Sequence, residues 1–478
     1  MPPFTDTELR NIQGFGLAGF RKDQQEVLFI RFGDQAGGRA LLGWLCPQVA
    51  NAFEVGGFNR VFSEIRARTG REDTVEATWT AVMVGAAGLD VLGAAPAGAP
   101  STEGSVAFAA GMAARATKTG DTRPTDAPAG WLPAFRERGG VHLAVVVASD
   151  NLDDLDRNVQ AVAEQASAHG AQVVWQERGA TLPGPMRGHE HFGFRDGGSQ
   201  PAVDGYDDPP APGEPAAVPP GEVVLGYPDA TGTAPTTDPL LVDGSMVVFR
   251  RLTQDVPAFR AQAAAGVPGA QPPVPPELLA AKLVGRWPSG APLSQWPDTD
   301  PGPGHETNDF AYKASDDTGL ACPRWSHIRK VNPRDETTPD PAGDAPALHR
   351  MLRRGIPFGP PYDPGTTAAT ERGLHFFAVV VDVARQFEFV QRQWLDNPNF
   401  PGGTPVPGGY GPPPQGAPDG PDPVVGRHDD GAALSYQQTG GARPTPVGPA
   451  PVRVTAGEYF LLPSLSALAA LATATSPA

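Results

Sequence analysis

Three short stretches of this chain hold residue types that can move protons or bind a metal. The first, GHEHFGFRDGGSQP (Gly188–Pro201), sets Asp196 on a glycine-rich turn behind His189, Glu190, His191, Phe192 and Phe194. Asp-Gly-Gly supplies the backbone freedom of a tight reversal, and Pro201 closes it. Three readings stand side by side: a plain turn with a salt-bridging Asp, a metal site on the His-Glu-His run, and a catalytic carboxylate at the mouth of a pocket. The second stretch, CPRWSHIRKVNPR, places His327 among cations and aromatics in an otherwise acidic chain. An imidazole in that setting suits an axial ligand to an anionic macrocycle, with arginines for the macrocycle's carboxylates. The plain alternative is a surface loop held by ion pairs. The third, HRMLRRGIPFG, sets Arg353 and Arg354 before an apolar turn. Such arginines ordinarily solvate a helix end. One pointed into an apolar cavity is costly unless it meets a negative charge, standing or developing.

One chemistry uses all three stretches: heterolysis of a peroxide on haem iron. The histidine holds iron from one face. On the other face a base takes a proton from the inner peroxide oxygen and returns it to the outer one, while a fixed cation stabilises charge on the leaving oxygen.

The elements that must position these residues read as α+β. EVLFIRF (26–32), VHLAVVVAS (141–149) and AQVVWQE (171–177) are strand-like. Between the last two, Leu155, Val159, Val162 and Ala166 recur at helical spacing in a segment opened by aspartates and closed by Gly170. SMVVFRRL (245–252) predicts a strand and VPAFRAQAAA (256–265) a helix. LHFFAVVVDVA (374–384) predicts a strand, RQFEFVQRQWLDN (385–397) a helix, and GEYFLLPSL a last strand or turn. Residues 204–237 are Pro/Gly-rich and read as a linker or surface excursion. The division expected is an N-terminal unit over 1–215, a linker-like excursion over 216–240, and a C-terminal unit over 241–478 with a Pro/Gly-rich insertion at about 401–451. The second half repeats the α+β character of the first without a repeat visible in the sequence.

The chain has 478 residues, enough for two or three domains, and 58 Gly with 56 Pro foretell long irregular insertions. Its formal charge, 37 − 53 = −16, with no basic block, argues against nucleic acid or an anionic membrane as partner. Cys46 and Cys322 make neither a disulfide framework nor a zinc pair. The start, MPPFTDTELRNIQGFG, lacks a secretory pattern, and LSALAALATA is too short to span a bilayer. A cytoplasmic protein is the expectation; secretion would require a signal removed from this sequence. His142, His169, His305, His349, His375 and His428 are read as structural or solvated.

The three motifs together resemble the dye-decolorizing peroxidase family, in particular its longer-chain fungal and actinobacterial members. GFRDG (193–197) matches that family's G-x-x-D-G signature, CPRWSHIRKVNPR its proximal-histidine segment, and RRGIPFG its R-x-x-[IM]-P-[FY]-G segment. Further matches are NIQG…GFRKDQQEVLFIRFGD, DGSMVVFRRLTQDV, LVGRWPSGAPL, NDFAY, WLDNPNF, GPDPVVG and GEYFLLPS, so the resemblance covers nearly the whole length. It implies two ferredoxin-like domains, each an antiparallel sheet flanked by helices, with haem between the sheet and helices of the second. It implies Asp196 as distal acid/base and His327 as axial ligand of the iron. Arg353, three residues before Ile356, takes the distal arginine's place, and Arg354 falls on a variable position. Leu374, Phe376 and Phe194 become apolar walls, and Arg334 a propionate partner. Gly355 stands where relatives often carry Asn or Ser, which predicts a roomier or wetter distal pocket. For the carboxylate behind the proximal imidazole, Glu388 and Asp382 are the candidates. A separate metal site on His189 and His191 loses weight, lacking a third ligand at useful spacing.

The function implied is a haem b peroxidase that uses hydrogen peroxide to oxidise dyes, phenols or similar reductants in one-electron steps. Manganese(II) is a further candidate reductant on an acidic surface. A carboxylate base, with an unperturbed pKa of ~3.9, predicts an acidic optimum. Trp287, Trp296, Trp325, Trp394 and Tyr362 are candidate surface relays for bulky dyes, packing being the alternative. The competing reading is a haem carrier or haem-processing protein, deferrochelatase-like, without peroxidase turnover. It shares His327 but has no use for Asp196 with Arg353.

Overall fold

The computed structural model describes residues 4–473 except 70–75, 95–100, 234, 337–345, 366–369, 407–408, 413–418, 429–431 and 440. Its frame is one antiparallel sheet built from two equivalent sets of four strands, with a ninth, two-residue strand, Leu352–Arg353, paired at one place in the second set. The first set is β1 (Gln24–Arg31), β2 (Thr78–Gly85), β3 (Leu143–Ser149) and β4 (Gln172–Ala180), in the spatial order β2-β3-β1-β4. The second is β5 (Ser245–Gln254), β6 (Ile356–Phe358), β7 (Gly373–Val380) and β8 (Val452–Leu462), in the order β8-β5-β7-β6. Each set is the ferredoxin-like order 4-1-3-2, so the duplication invisible in the sequence is explicit in the topology.

Two short seams join the sets into a closed barrel. β8 meets β2 only through Phe460↔Gly85 and Leu461↔Val84, and β4 meets β6 only through Gly179↔Phe358. Within each set the ladders are long: β5 pairs with β7 from Met246↔Val380 to Thr253↔Gly373. Closure removes the free edges that two separate sheets would expose.

Alternation along the strands divides residues between two environments. Phe249, Arg251, His375 and Phe377 face the barrel interior. There Phe29 lies 4.8 Å from Phe249 between ring centroids, and Phe249 5.0 Å from Phe377. His375 Nε2 bonds Glu177 Oε2 at 2.6 Å, and Arg251 pairs with Glu177 at 2.8 Å, so His375 is a structural residue as expected. Arg250, Leu252, Gln254, Leu374 and Phe376 point the other way, onto the outer face of the second set.

The helix over Leu152–Ala168 forms as its spacing predicts. Asn151 caps it by accepting from the Asp154 amide at 3.1 Å, and Leu155, Val159, Val162 and Ala166 are its buried residues. Elements that the sequence reading did not foresee include β2, the strand β6 and the helices Gln35–Leu45, Ala52–Thr69 and Pro276–Val284. The 204–237 segment, expected on the surface, buries Val218, Val223, Val224 and Leu225 in the main core. Residues 383–395, expected as a helix, are wound in two successive π-helical turns. Among the described residues, no helix is long and apolar enough to cross a membrane.

Candidate active site

A deep cavity lies between the outer face of β5 and β7 and the helical segments His327–Val331 and Val383–Leu395. Asp196, Arg353, His327, Arg334, Leu374, Phe376 and Phe194 all line it. The three motifs, the first more than a hundred residues before the other two in sequence, thus converge on one space.

Asp196 reaches it from a loop shaped by two glycines. Gly193 has φ +103° and Gly197 φ +78°, and nothing lies within 4 Å of where a Cβ would stand at either. Backbone conformation, and not room, is what requires glycine there. The loop is held by Asp196 N donating to Gly188 O at 3.0 Å and by Gly197 N donating to Asp196 Oδ1 at 2.7 Å. Phe192 and Phe194 pack on Phe259, Phe192 stacked at 4.4 Å. Arg195 pairs with Glu306 at 2.9 Å at the cavity's edge. The metal reading of the loop fails on geometry. His191 Nε2 is engaged with Phe358 O at 2.8 Å and His189 Nδ1 with Arg187 O at 3.1 Å. Among the described residues no group of three or more His, Cys, Asp or Glu could hold a metal ion.

The two adjacent arginines separate because neighbouring residues of an extended chain project to opposite sides. Leu352 and Arg353 pair with Val379 and Ala378. Arg354 turns away and donates to the carbonyls of Phe15, Gly16 and Leu17 at 3.3, 3.1 and 2.7 Å. Arg353 faces the cavity, and its side chain has no hydrogen bond to any described residue. Burial pushes its guanidinium below the ordinary arginine value, against the opposing pull of Asp196. Gly355 lines the cavity beside it, where a Cβ would stand 3.3 Å from His375 O and 3.4 Å from Leu374 Cδ2.

His327 opens a short helix, and its two cationic neighbours anchor that helix inward. Arg329 is fully buried and bonds Glu336, Asp316 O and Cys322 O; Lys330 Nζ donates to Trp394 O at 3.0 Å and Asn397 O at 2.8 Å. His327 Nδ1 meets Asp422 Oδ2 at 2.7 Å. Burial acts to raise Asp422, but the His327 ring and the amides of Val424 and Val425 hold it below the usual carboxylate range. This identifies the carboxylate behind the imidazole and corrects both earlier candidates. Glu388 is committed to Arg115 and Tyr459, and Asp382 caps the π-wound segment through the amides of Ala384 and Arg385. Asp422 lies in GPDPVVG, a matched segment, but its link to His327 spans 95 residues and has no local signature.

The cavity also collects uncompensated cations. Arg334, with a left-handed φ of 58°, donates to Asn308 O at 2.8 Å and Phe310 O at 3.2 Å, and its Nε has no partner among the described residues. Burial pushes Arg350, on the same wall, down to about 10, and the neighbouring Arg353 and Arg334 push the same way. Several guanidiniums crowded at one cavity wall are stable only if an anion completes the site. A largely apolar cavity with a carboxylate-backed histidine and an arginine-rich margin fits an iron porphyrin with two propionates. Haem would be held by His327 through Nε2, with Arg334 and Arg350 toward its carboxylates.

The aromatic residues considered as surface relays are largely internal. Trp287, Trp325 and Trp394 are buried, Trp394 stacked on Phe400 at 5.2 Å; Trp296 and Tyr362 are half-buried. For the three buried tryptophans the packing reading holds, since each fills a core cluster.

Residues 11–183 match the family model described as the DyP dimeric alpha+beta barrel domain. The chain is 34% identical over 406 residues to a dye-decolorizing peroxidase of Mycena epipterygia, covering 78% of this chain and 72% of that protein. It is 31% identical over 496 residues to a multifunctional dye peroxidase of an Amycolatopsis species, covering 97% and 96%. Among solved structures it resembles an ancestral D-type dye-decolorizing peroxidase, with TM-score 0.82 and 31% identity over 98% of this chain and 99% of that one. It also resembles a dye-decolorizing peroxidase in complex with 2,6-dimethoxyphenol, with TM-score 0.78 and 29% identity over 97% and 99%.

Proposed function

The chain belongs to the dye-decolorizing peroxidase family, a family of haem-dependent enzymes, and from that premise we propose a haem b peroxidase with Asp196 as acid/base, Arg353 as the charge-stabilising cation and His327 as axial ligand. When bound, haem supplies the two-electron oxidation by hydrogen peroxide and its reversal by two one-electron donors. The protein supplies the rest. Asp196, as carboxylate, takes a proton from one peroxide oxygen and delivers it to the other, which leaves as water. Arg353 stabilises the negative charge that gathers on the departing oxygen, at no reorganisation cost because it already faces the cavity. Asp422 fixes the His327 tautomer, with the proton on Nδ1 and Nε2 free to ligate, and makes the imidazole more basic. Leu374, Phe376 and Phe194 keep the site apolar. Residues 1–215 and 241–478 are the two units, joined by 216–240, with Asp196 from the first and His327, Arg334 and Arg353 from the second.

The observation that carries this reading is the meeting of Asp196, Arg353 and the His327–Asp422 pair at a single cavity. The reductants proposed are phenols and dyes; the 2,6-dimethoxyphenol complex of a structural relative supports a phenol. Manganese(II) is the inorganic reductant to be assayed beside them. The test is stopped-flow mixing of the haem-loaded protein with hydrogen peroxide, following the Soret band. A fast change is expected in the wild type and a slow one in Asp196→Asn and Arg353→Leu. Undiminished rates in either variant would remove that residue from its role. No reaction in the wild type would favour a haem carrier.

A further inference from the structure

Glu190 lines the same cavity yet takes no part in the proton transfer or in the cationic margin. Its carboxylate accepts three hydrogen bonds. Oε2 receives the Phe192 amide at 2.8 Å and Gln254 Nε2 at 2.5 Å, and Oε1 receives the Phe194 amide at 2.9 Å. Around them, Glu190 N donates to Phe194 O and Gly193 N to Glu190 O, both at 3.0 Å. These bonds close the turn that leads directly into Arg195 and Asp196. Gln254, at the end of β5, has its own amide bonded to Arg372 O at 2.9 Å. One carboxylate therefore closes the loop internally and ties it to the other half of the barrel.

We propose that Glu190 is the positioning residue of Asp196: it fixes where the catalytic carboxylate sits over the cavity by stapling its loop shut and clipping it to β5. The proposal rests on the reading of Asp196 as the base. A second property separates Glu190 from a mere staple. Desolvation lifts it to about 7, against its three hydrogen-bond donors, with the charge of Asp196 adding to the rise. The other charged group lining the cavity from β5, Arg250, is committed to Asp121; His191 is bonded to Phe358 O, and Arg372 to Pro360 O. Glu190 is thus neutral at acidic pH, where it adds no second negative charge beside Asp196, and ionises close to neutrality.

The test uses the haem-loaded enzyme and the Glu190→Gln variant, whose amide keeps one acceptor oxygen but turns an N–H toward the remaining donors. The second-order rate with peroxide is expected to fall roughly 10²-fold, the scale of a misplaced catalytic group. Subsequent reduction by a phenol should be unchanged. The wild-type peroxide rate should show an inflection close to pH 7 that Glu190→Gln lacks, and an infrared titration of the carboxyl groups should lose one component there. A wild-type peroxide rate and pH profile in Glu190→Gln, at equal haem content and thermal stability, would overturn the proposal. Should Glu190→Gln not fold, Gln254→Ala removes a single bond from outside the loop; a peroxide rate equal to wild type in that variant overturns the clip to β5. Asp196→Asn is run alongside. If it is fast, the base reading itself has failed; if it is slow while Glu190→Gln is fast, only the Glu190 proposal has.

Discussion

The carboxamide of Gln200 pairs with both backbone groups of Arg353: Nε2 donates to its carbonyl at 2.9 Å, and Oε1 accepts from its amide at 3.0 Å. Gln200 ends the loop that carries Asp196, and Arg353 belongs to the second half of the barrel. This two-point contact therefore sets the separation between the proposed base and the proposed cation. Gln200→Ala is expected to slow the reaction with peroxide by roughly 10- to 100-fold, because both groups must be oriented at once. Haem content and the affinity for a phenolic reductant should be unchanged. Stopped-flow rates at varied peroxide, with steady-state KM for the reductant, check this.

Arg353 and Arg354 should fail in opposite ways. Arg353→Leu removes the free cation, and the peroxide rate is expected to drop by about 10² to 10³ at wild-type stability. Arg354→Leu leaves the carbonyls of Phe15, Gly16 and Leu17 without their donor, and should lower unfolding free energy by about 2 kcal/mol. Denaturant midpoints set beside peroxide rates for the two variants test the assignment; a reversed pattern would exchange their roles.

Asp422→Asn should weaken the axial ligand without emptying the site. An imidazole that loses its anionic partner is less basic and stabilises ferric iron less, so the reduction potential is expected to rise. Haem retention should fall by roughly 10- to 100-fold. Spectroelectrochemistry and haem transfer to a competing acceptor measure both. The same substitutions at Glu388 or Asp382 are expected to leave the potential unchanged.

Two buried carboxyls should favour the folded state at acidic pH. Burial lifts Asp396 to about 7, only partly opposed by Arg427 and its other hydrogen-bond donors. Glu190 reaches about 7 for the same first reason. For a carboxyl whose folded pKa lies above its unfolded value, the folded state holds the proton more tightly. Its contribution is full below the unfolded pKa, about 3.9 for Asp, and is lost as pH rises through the folded pKa near 7. These two carboxyls therefore lose their contribution between about pH 4 and about pH 7, opposed by the buried His191 ring, held down to about 4 by desolvation, whose contribution grows as pH rises. Asp396→Asn should remove its share of that loss, up to roughly 1.4 kcal/mol per pH unit, read by thermal unfolding across the interval.

Dye oxidation should share the acidic preference, since a carboxylate base stays ionised at a pH where an imidazole base would be protonated. Flat high activity at neutral pH with collapse at about pH 4 to 5 would count against Asp196 as base.

The sequence alone determined what depends on neighbours in the chain. The Asp-Gly-Gly turn, the strand-like runs that became β1, β3, β5 and β7, and the capped helix over 152–168 follow from backbone preference and apolar period. His327, Asp196 and Arg353 stood out because their residue types break the character of their surroundings. The tertiary structure decided what depends on residues far apart. Asp422 lies 95 positions from His327, and nothing local distinguishes it from Asp382 or Glu388. Only packing could show that those two were already taken. Arg353 and Arg354 share one local context, and their roles diverge because the short strand sends one into the cavity and the other to a distant loop. Glu190 looked like part of a metal triplet until the fold wrapped its own loop around it. Backbone preference acts over a few residues, whereas a carboxylate's role depends on which donors and charges the completed barrel brings to it.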